Sequence, residues 1–392
     1  MRRRSFRQML RTVHLWAGIV LGIPLIAIGL SGSALLLQRE ILRFSMPEAS
    51  AIGETRPILE IVAAARPEAP PETRANWVQL PASPGAPAAV RFVTATRPAR
   101  TTEVYVDPVS LEVLGTSDFV RRGPIGRVIA DIHEFLMMPP EIGLPLVGWF
   151  AVALSFMCLS GLILWWPRKG RWLAAFLVRR GARGLRLHLD LHHAAGIWGL
   201  LVLLILSVSG IYLAFPQSFS AALKIALPDG PAGGGEPSDD IARIWPASPE
   251  QALTFAISAV PNARATGVQL PNADGGPFVV QMEDAGFGPS FPPITVAFDP
   301  NNEDIAYIDD PRTYSISDRV LNLQYALHLG VGLGWVWTVL VFLSGLLPLF
   351  LAVTGVTIWW KKRHARRLGA ATVYAANENP DGAAIAPQSS PV

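Results

Sequence analysis

The chain is poor in charge and nearly devoid of cysteine. Asp, Glu, Lys and Arg supply only 16% of its 392 residues, 51% are hydrophobic, and the mean hydropathy is +0.34. An average soluble domain carries about 25% charged residues, so the deficit points to a membrane class. One cysteine, Cys158, excludes an intrachain disulfide and any iron–sulfur centre built on several cysteines. Lying in an apolar run, it reads as a small packing residue. The net charge of +3 is small, and the basic residues sit beside apolar runs without aromatic interleaving, which argues against a nucleic-acid partner. No GxxxxGK[ST], no GxGxxG after a strand and no GxSxG is present, which disfavours a nucleotide-driven pump, a flavin or nicotinamide domain and a serine hydrolase.

Charge is missing altogether from four runs: 13–37, 144–166, 194–215 and 335–360. A bilayer core of about 30 Å needs about 20 apolar residues in a helix, so each run is long enough to span. Pro24 and Pro348 are expected to kink their helices without ending them. Basic clusters precede the first span (Arg2, Arg3, Arg4, Arg7, Arg11), fill the loop after the second (Arg168 to Arg186) and follow the fourth (Lys361 to Arg367). By the positive-inside rule all three are cytoplasmic. The expected layout is a cytoplasmic N-terminus (1–12), span one (13–37), a periplasmic segment (38–143), span two (144–166), a cytoplasmic loop (167–187), span three with its approach (188–215), a second periplasmic segment (216–334), span four (335–360) and a cytoplasmic tail (361–392). The tail from Gly369 has little bulk or periodicity and reads as disordered. The stretches 82–88 and 228–237, rich in Ala, Pro and Gly, read as flexible loops. The Arg-rich start could pass for a signal peptide, but it has a mid-chain partner that cannot be one.

That partner is part of an internal repeat. His14, Ala17, Gly18, Ile19, Ser31 and Gly32 recur as His192, Ala195, Gly196, Ile197, Ser209 and Gly210 at a constant spacing. His133 pairs with His328, Ser160-Gly161 with Thr354-Gly355, and Trp165-Trp166 with Trp359-Trp360. Pro139 and Pro140 have no counterpart, so the helix leading from His133 is expected to break there. Val78-Gln79-Leu80-Pro81 returns as Val268-Gln269-Leu270-Pro271, and each copy reads as a short helix (57–65; 249–259) followed by alternating strands and an Asp-Pro turn. The fold class is therefore an α-helical membrane protein with four transmembrane helices in two duplicated halves, each half carrying a small periplasmic α+β unit. A pseudo-twofold along the membrane normal would relate them.

Four of the seven histidines occupy repeated positions at two membrane levels: His14 with His192 on the cytoplasmic side, and His133 with His328 on the outer side. Two imidazoles facing each other from different helices can ligate a b-type haem iron from both sides. Ser31-Gly32 and Ser209-Gly210 lie 18 residues beyond the inner histidines, or ~27 Å along a helix. At each level two helices then offer His while two offer Gly (Gly32 and Gly210, or Gly161 and Gly355), leaving room for a flat macrocycle or for close helix contact. The blander reading is an interfacial anchor for each His and a helix-packing site for each small pair. His188, one turn before His192, is an alternative inner ligand or a hydrogen-bonding orienter. His193 reads as structural and His364 as solvated. His188 and His192 also have zinc-pair spacing, without the Glu or third ligand a zinc site needs.

The runs VHLWAGI (13–19), LSGLILWWP (159–167) and VTGVTIWW (353–360) resemble the PepSY-associated transmembrane helix family, iron-regulated membrane proteins with PepSY domains. The resemblance covers nearly the whole chain except the tail. It implies PepSY-like outer domains, two haem b groups at His14, His192, His133 and His328, and a ferric-siderophore or other ferric-chelate reductase of the bacterial inner membrane. Some members are fused to a flavin-binding reductase domain that this chain lacks, which leaves the donor open between a quinol and a cytoplasmic reductase. Two other functions remain: a non-catalytic PepSY module that binds peptides or modulates a protease, and an iron-chelate transporter. Against the transporter, no Asp, Glu, Lys or Arg lies at mid-span to couple ions.

Overall fold

The computed structural model describes residues 5–44, 47–49, 53–94, 101–117, 124–170, 172–227, 246–271, 275–284, 292–299 and 304–378. The loop expected at 228–237 lies outside them. In chain order the elements are α1 (Phe6–Val20), α2 (Gly22–Phe44), α3 (Ile58–Ala65), β1 (Thr73–Gln79), β2 (Ala88–Thr94), β3 (Thr101–Val106), β4 (Val113–Ser117), α4 (Pro124–Phe135), α5 (Pro140–Trp165), α6 (Trp172–Ala175), α7 (Gly184–Ala214), α8 (Pro216–Ala226), α9 (Pro249–Ala259), β5 (Ala263–Gln269), β6 (Val279–Asp284), β7 (Ile294–Asp299), β8 (Asp304–Asp309), α10 (Ile316–Leu329) and α11 (Gly334–Glu378).

Four helices are long and apolar enough to cross a membrane, within Gly22–Ile41, Pro140–Trp165, Gly184–Ala214 and Gly334–Leu368. Small residues set their packing. Gly29 of α2 and Gly345 of α11 meet backbone to backbone, and Ser33 Oγ donates to the Phe342 carbonyl at 2.7 Å across the same crossing. Between α5 and α7, Gly148 makes room for the Phe215 ring and Ser155 Oγ donates to Ser207 Oγ at 2.8 Å. Without a hydrophobic drive between helices in lipid, such close approaches and interhelical hydrogen bonds hold a bundle together. Contacts of α7 with α11 and of α1 with α5 close the ring of four.

The first span differs from the single helix read at 13–37. The helix stops at Val20, bends at Leu21 and restarts at Gly22. Pro24 is the cause: it has no N–H for the Val20 carbonyl, and because Leu21 stays right-handed helical, with its N–H on Ala17 O and its carbonyl accepting from Leu25 N–H, the interruption is the kink expected there. At the corresponding place α7 has no proline and runs unbroken from Gly184, four residues before the expected start at 188. The break before the second span occurs between α4 and α5, at Leu136 and Met137 with positive φ. An equivalent break, expected only in the first copy, also separates α10 from α11, through Gly330 in a left-handed cap. The tail read as disordered from Gly369 is helical to Glu378; its alanines favour helix, and the span ahead of it supplies the nucleus. The stretch 82–88 is a turn leading into β2.

The strands form one antiparallel eight-stranded sheet, in the order β4-β3-β2-β1-β5-β6-β7-β8. Two separate α+β units were expected; they are fused edge to edge through β1 and β5. The seam is reciprocal about Val78 and Val268, which face each other, with Trp77 opposite Gln269 and Gln79 opposite Gly267. Leu80 N–H donates to Thr266 O at 2.9 Å and Leu270 N–H to Asn76 O at 3.0 Å. Edge strands that would otherwise invite foreign pairing are consumed in this seam. The Trp77 indole lies on Gly267, where a Cβ would collide with it.

One face of the sheet is covered by α3 and α9. Ile58, Ile61, Ala65, Ala252, Ala256 and Val260 pack on Val78, Val90, Phe92, Val268, Val280, Met282 and Phe298, all buried. Glu250 at the start of α9 accepts the Leu59 N–H at 3.0 Å, joining the two helices. Burial pushes the Glu250 carboxyl up, but its hydrogen bonds from the Leu59, Glu250 and Ile58 backbone and from Ser248 outweigh this and hold it below the usual range. A depressed folded pKa adds stability that is present above the unfolded value and lost as pH falls through the folded one. The α3–α9 junction is therefore expected to loosen below about pH 4, and Glu250→Gln is expected to abolish that acid step. The protection factor of the Leu59 amide, followed against pH by hydrogen exchange, checks this; a flat profile in the unmodified chain contradicts it.

Candidate functional site

The break before each of the second and fourth spans lays a short amphipathic helix against a neighbouring span: α4 against α2, and α10 against α7. Each short helix carries one histidine, and each histidine rests on a glycine of that span. A Cβ built on Gly32 would stand 2.7 Å from His133 Cε1, and one on Gly210 would stand 3.4 Å from His328 Cε1. At the end of the bundle that carries both termini the pattern repeats. Gly161 faces His14 Cε1 at 3.4 Å and Gly355 faces His192 Cε1 at 3.5 Å. All four glycines thus sit beneath an imidazole.

The residue before each glycine carries a hydroxyl, and this completes the contact. His14 Nδ1 lies 2.8 Å from Ser160 Oγ, His192 Nδ1 2.9 Å from Thr354 Oγ1, and His328 Nδ1 2.9 Å from Ser209 Oγ. His133 Nδ1 is 3.5 Å from Ser31 Oγ and 2.8 Å from the Ile28 carbonyl. The direction of these bonds follows from where each hydroxyl proton goes. Ser31 donates to Ala27 O (2.6 Å), Ser160 to Met157 O (3.2 Å), Ser209 to Leu206 O (3.1 Å) and Thr354 to Phe350 O (2.9 Å). With that proton on the helix carbonyl, the hydroxyl oxygen is an acceptor for a hydrogen on Nδ1, an assignment made from the hydrogen-bond network. The Ile28 carbonyl, a pure acceptor, makes the same assignment for His133. Every one of the four rings then presents an unprotonated Nε2, the form that ligates a metal.

At the sheet end the His133 and His328 rings approach to 6.1 Å between centroids, tilted by 52°. At the other end His192 and His14 are within electrostatic reach of each other. Among the described residues no group of three or more His, Cys, Asp or Glu side chains could enclose a metal. The arrangement therefore offers imidazoles in pairs, suited to a metal whose remaining ligands come from elsewhere. A zinc site at His188 and His192 gains no third protein ligand.

The remaining candidates are placed as follows. His188 is half-buried and does not orient His192, whose Nδ1 is taken by Thr354. His193 is exposed, edge-on to His192 at 6.5 Å. His364 is exposed and stacks on Trp360 at 6.0 Å. Cys158 is buried within α5. Sequence reasoning found the glycines and histidines but valued Ser31, Ser160, Ser209 and Thr354 only for small size. The signal was available: all four positions carry a hydroxyl, although one of them is Thr instead of Ser.

The α10 helix is anchored to the sheet by a polar cluster. Arg312 bridges Asp310 (2.6 Å) and Asp284 of β6 (3.3 Å), Tyr314 OH donates to Asp309 of β8 at 2.7 Å, and Ser315 caps α10 at Asp318 N–H. Sheet and His328 are in this way mechanically joined.

Four spans, an appended sheet and two tiers of half-buried imidazoles describe a multi-pass membrane protein with a sheet-containing part. Residues 11–362 match the model of the PepSY-associated TM region, and the chain belongs to that family. A search of curated proteins finds no match to the chain.

The glycine distances rank the cost of adding a methyl group. Gly32→Ala is expected to destabilise the bundle by about 1–3 kcal/mol, the range for overpacking, because His133 must move by several tenths of an ångström. Gly210→Ala, in ordinary contact range of His328, costs less. Thermal unfolding of the two purified variants in detergent checks the order; equal losses contradict it.

Proposed function

We propose that the chain is a di-haem electron carrier of the bacterial inner membrane that reduces a ferric chelate, such as a ferric siderophore, on the periplasmic side for iron uptake. The observation that carries this reading is the His133–His328 pair. Metal–imidazole bonds of about 2.0–2.1 Å, plus the depth of each ring, put the centroids of two rings sharing one metal ~6 Å apart. The 6.1 Å between the His133 and His328 rings matches that spacing. The donor set also fits: two unprotonated Nε2 atoms, with a glycine beside each imidazole.

His133 and His328 would hold one haem b, and His14 and His192 the other. When bound, haem b supplies a one-electron couple. The chain's own residues do the rest. Ser160, Ser209, Thr354 and, for His133, the Ile28 carbonyl would keep each Nδ1 protonated and each ring in one orientation, which raises the donor strength of Nε2. Apolar spans exclude water around the imidazoles. The basic flanks support cytoplasmic termini and a periplasmic sheet. The two repeated halves, each with a PepSY-like unit, would be related by a twofold that passes between Val78 and Val268. A ferric chelate would meet the protein on the sheet side, near the His133–His328 pair. Reduction releases iron because hard oxygen ligands hold Fe(II) much less tightly than Fe(III). The donor at the cytoplasmic level is a quinol or a cytoplasmic reductase.

An absorption spectrum of the detergent-extracted protein, oxidised and then dithionite-reduced, tests this. Sharp b-type bands are expected, with about two haems per chain. His133→Ala and His328→Ala should each remove one haem and abolish ferric-chelate reduction, while sparing the haem at the other level. A colourless preparation overturns the proposal and favours an anchored peptide-binding module. Uptake of intact chelate into proteoliposomes favours a transporter.

A further inference from the structure

The glycine of each His contact lies on a helix, and the residue seven places further on lies on the same stripe. Seven residues make two turns with a drift of ~20° and a rise of ~10.5 Å. At the sheet end, Gly32 is followed on α2 by Arg39; at the terminus end, Gly355 is followed on α11 by Lys362. The other two glycines lack such a continuation. Gly161 is followed by Arg168, beyond the end of α5, and Gly210 by Gln217, beyond the bend at Phe215. Each end of the bundle therefore has one cation on the stripe of a His-facing glycine, set toward the nearer end.

Both cations touch the neighbourhood of a histidine: Arg39 through the residue after His328, and Lys362 through His193, the residue after His192. Arg39 donates from Nη1 to the carbonyl of Leu329, the residue after His328, at 2.7 Å, and reaches Glu40 at 2.9 Å. Its fork has further N–H donors that take no acceptor among the described residues. Lys362 lies within electrostatic reach of Arg11, three residues before His14, and of Arg366. His193, next to the ligand position His192, feels both Lys362 and Arg11. Asp190, the carboxylate that also acts on His193, is already taken by Arg186 at 2.9 Å and by the Arg179 N–H at 3.4 Å. Among the described residues no carboxylate stands within ion-pair distance of Lys362 or Arg11. Like charges gathered beside an apolar bundle without an anion are destabilising unless a ligand supplies one. Topology alone accounts for basic residues at the terminus end but not for Arg39 at the opposite end.

Resting on the haem reading above, we propose that Lys362, with Arg11, and Arg39 are the counter-charges for the carboxylates on the macrocycle edge at the terminus end and the sheet end respectively. Each macrocycle then carries its acid edge toward the nearer end of the bundle, and each pairing with a positioning residue raises the reduction potential of its own centre. A nearby positive charge favours the reduced state, so neutralising it lowers the potential.

An optical redox titration of the full chain in detergent tests this, with haem content read on the same samples. Lys362→Gln is expected to lower one of the two midpoints and leave the other in place, and Arg39→Gln to do the converse. Lys362→Arg, which keeps the charge, and Lys361→Gln, off the stripe, should leave both unchanged. Both midpoints unmoved by Lys362→Gln and Arg39→Gln, with haem content retained, would overturn this inference alone. Unmoved midpoints with loss of co-purifying anionic phospholipid from Lys362→Gln would also overturn it, assigning the cations to lipid headgroups. An absence of b-type bands from the unmodified chain would remove the haem reading and this inference together.

Discussion

The hydrogen bond between a histidine Nδ1 and an oxygen of the neighbouring span, a hydroxyl for His14, His192 and His328 and the Ile28 carbonyl for His133, is the constraint on which the site depends. It holds each ring in one orientation over a glycine, most tightly at Gly32, where an added Cβ would stand 2.7 Å from His133 Cε1. Each hydroxyl can act as an acceptor because its own proton is spent on a carbonyl three or four residues back, a back-bonding habit of Ser and Thr in apolar helices. A satisfied polar contact of this kind inside lipid is worth more for specificity than for stability, since the unfolded chain in the membrane also finds partners.

The remainder of the molecule holds the four contacts in register. Two of the histidines ride on short helices outside the spans, so their positions depend on what the sheet does. The reciprocal seam at Val78 and Val268 makes one rigid sheet of strands drawn from both copies. The Arg312 cluster fastens that sheet to α10. The sheet is thus joined to the helix that carries His328 by ion pairs and hydrogen bonds, and the His328 ring faces that of His133 at 6.1 Å.

Much of this was legible in the residues. The charge-free runs marked the spans, the constant spacing from His14 to His192 exposed the repeat, and the alternation around Val78 and Val268 marked strands. What escaped has physical reasons. Fusion of the two outer units is a property of strand edges, whose partners no periodic pattern names. The break before α11 depends on Gly330 adopting positive φ, whereas the break before α5 was visible because two prolines announce it. The hydroxyls were undervalued because Ser and Thr in a membrane helix are so often only small. Their repeated placement one residue before the His-facing glycine is what gives them a role.

The central claim is that imidazoles from the two copies share one metal at each end of the bundle. Near-infrared magnetic circular dichroism of the oxidised protein reads axial ligands directly and is the sharpest test. The account predicts bis-imidazole ligation for every haem present. A haem with one imidazole opposite a thioether, a thiolate or water would contradict it.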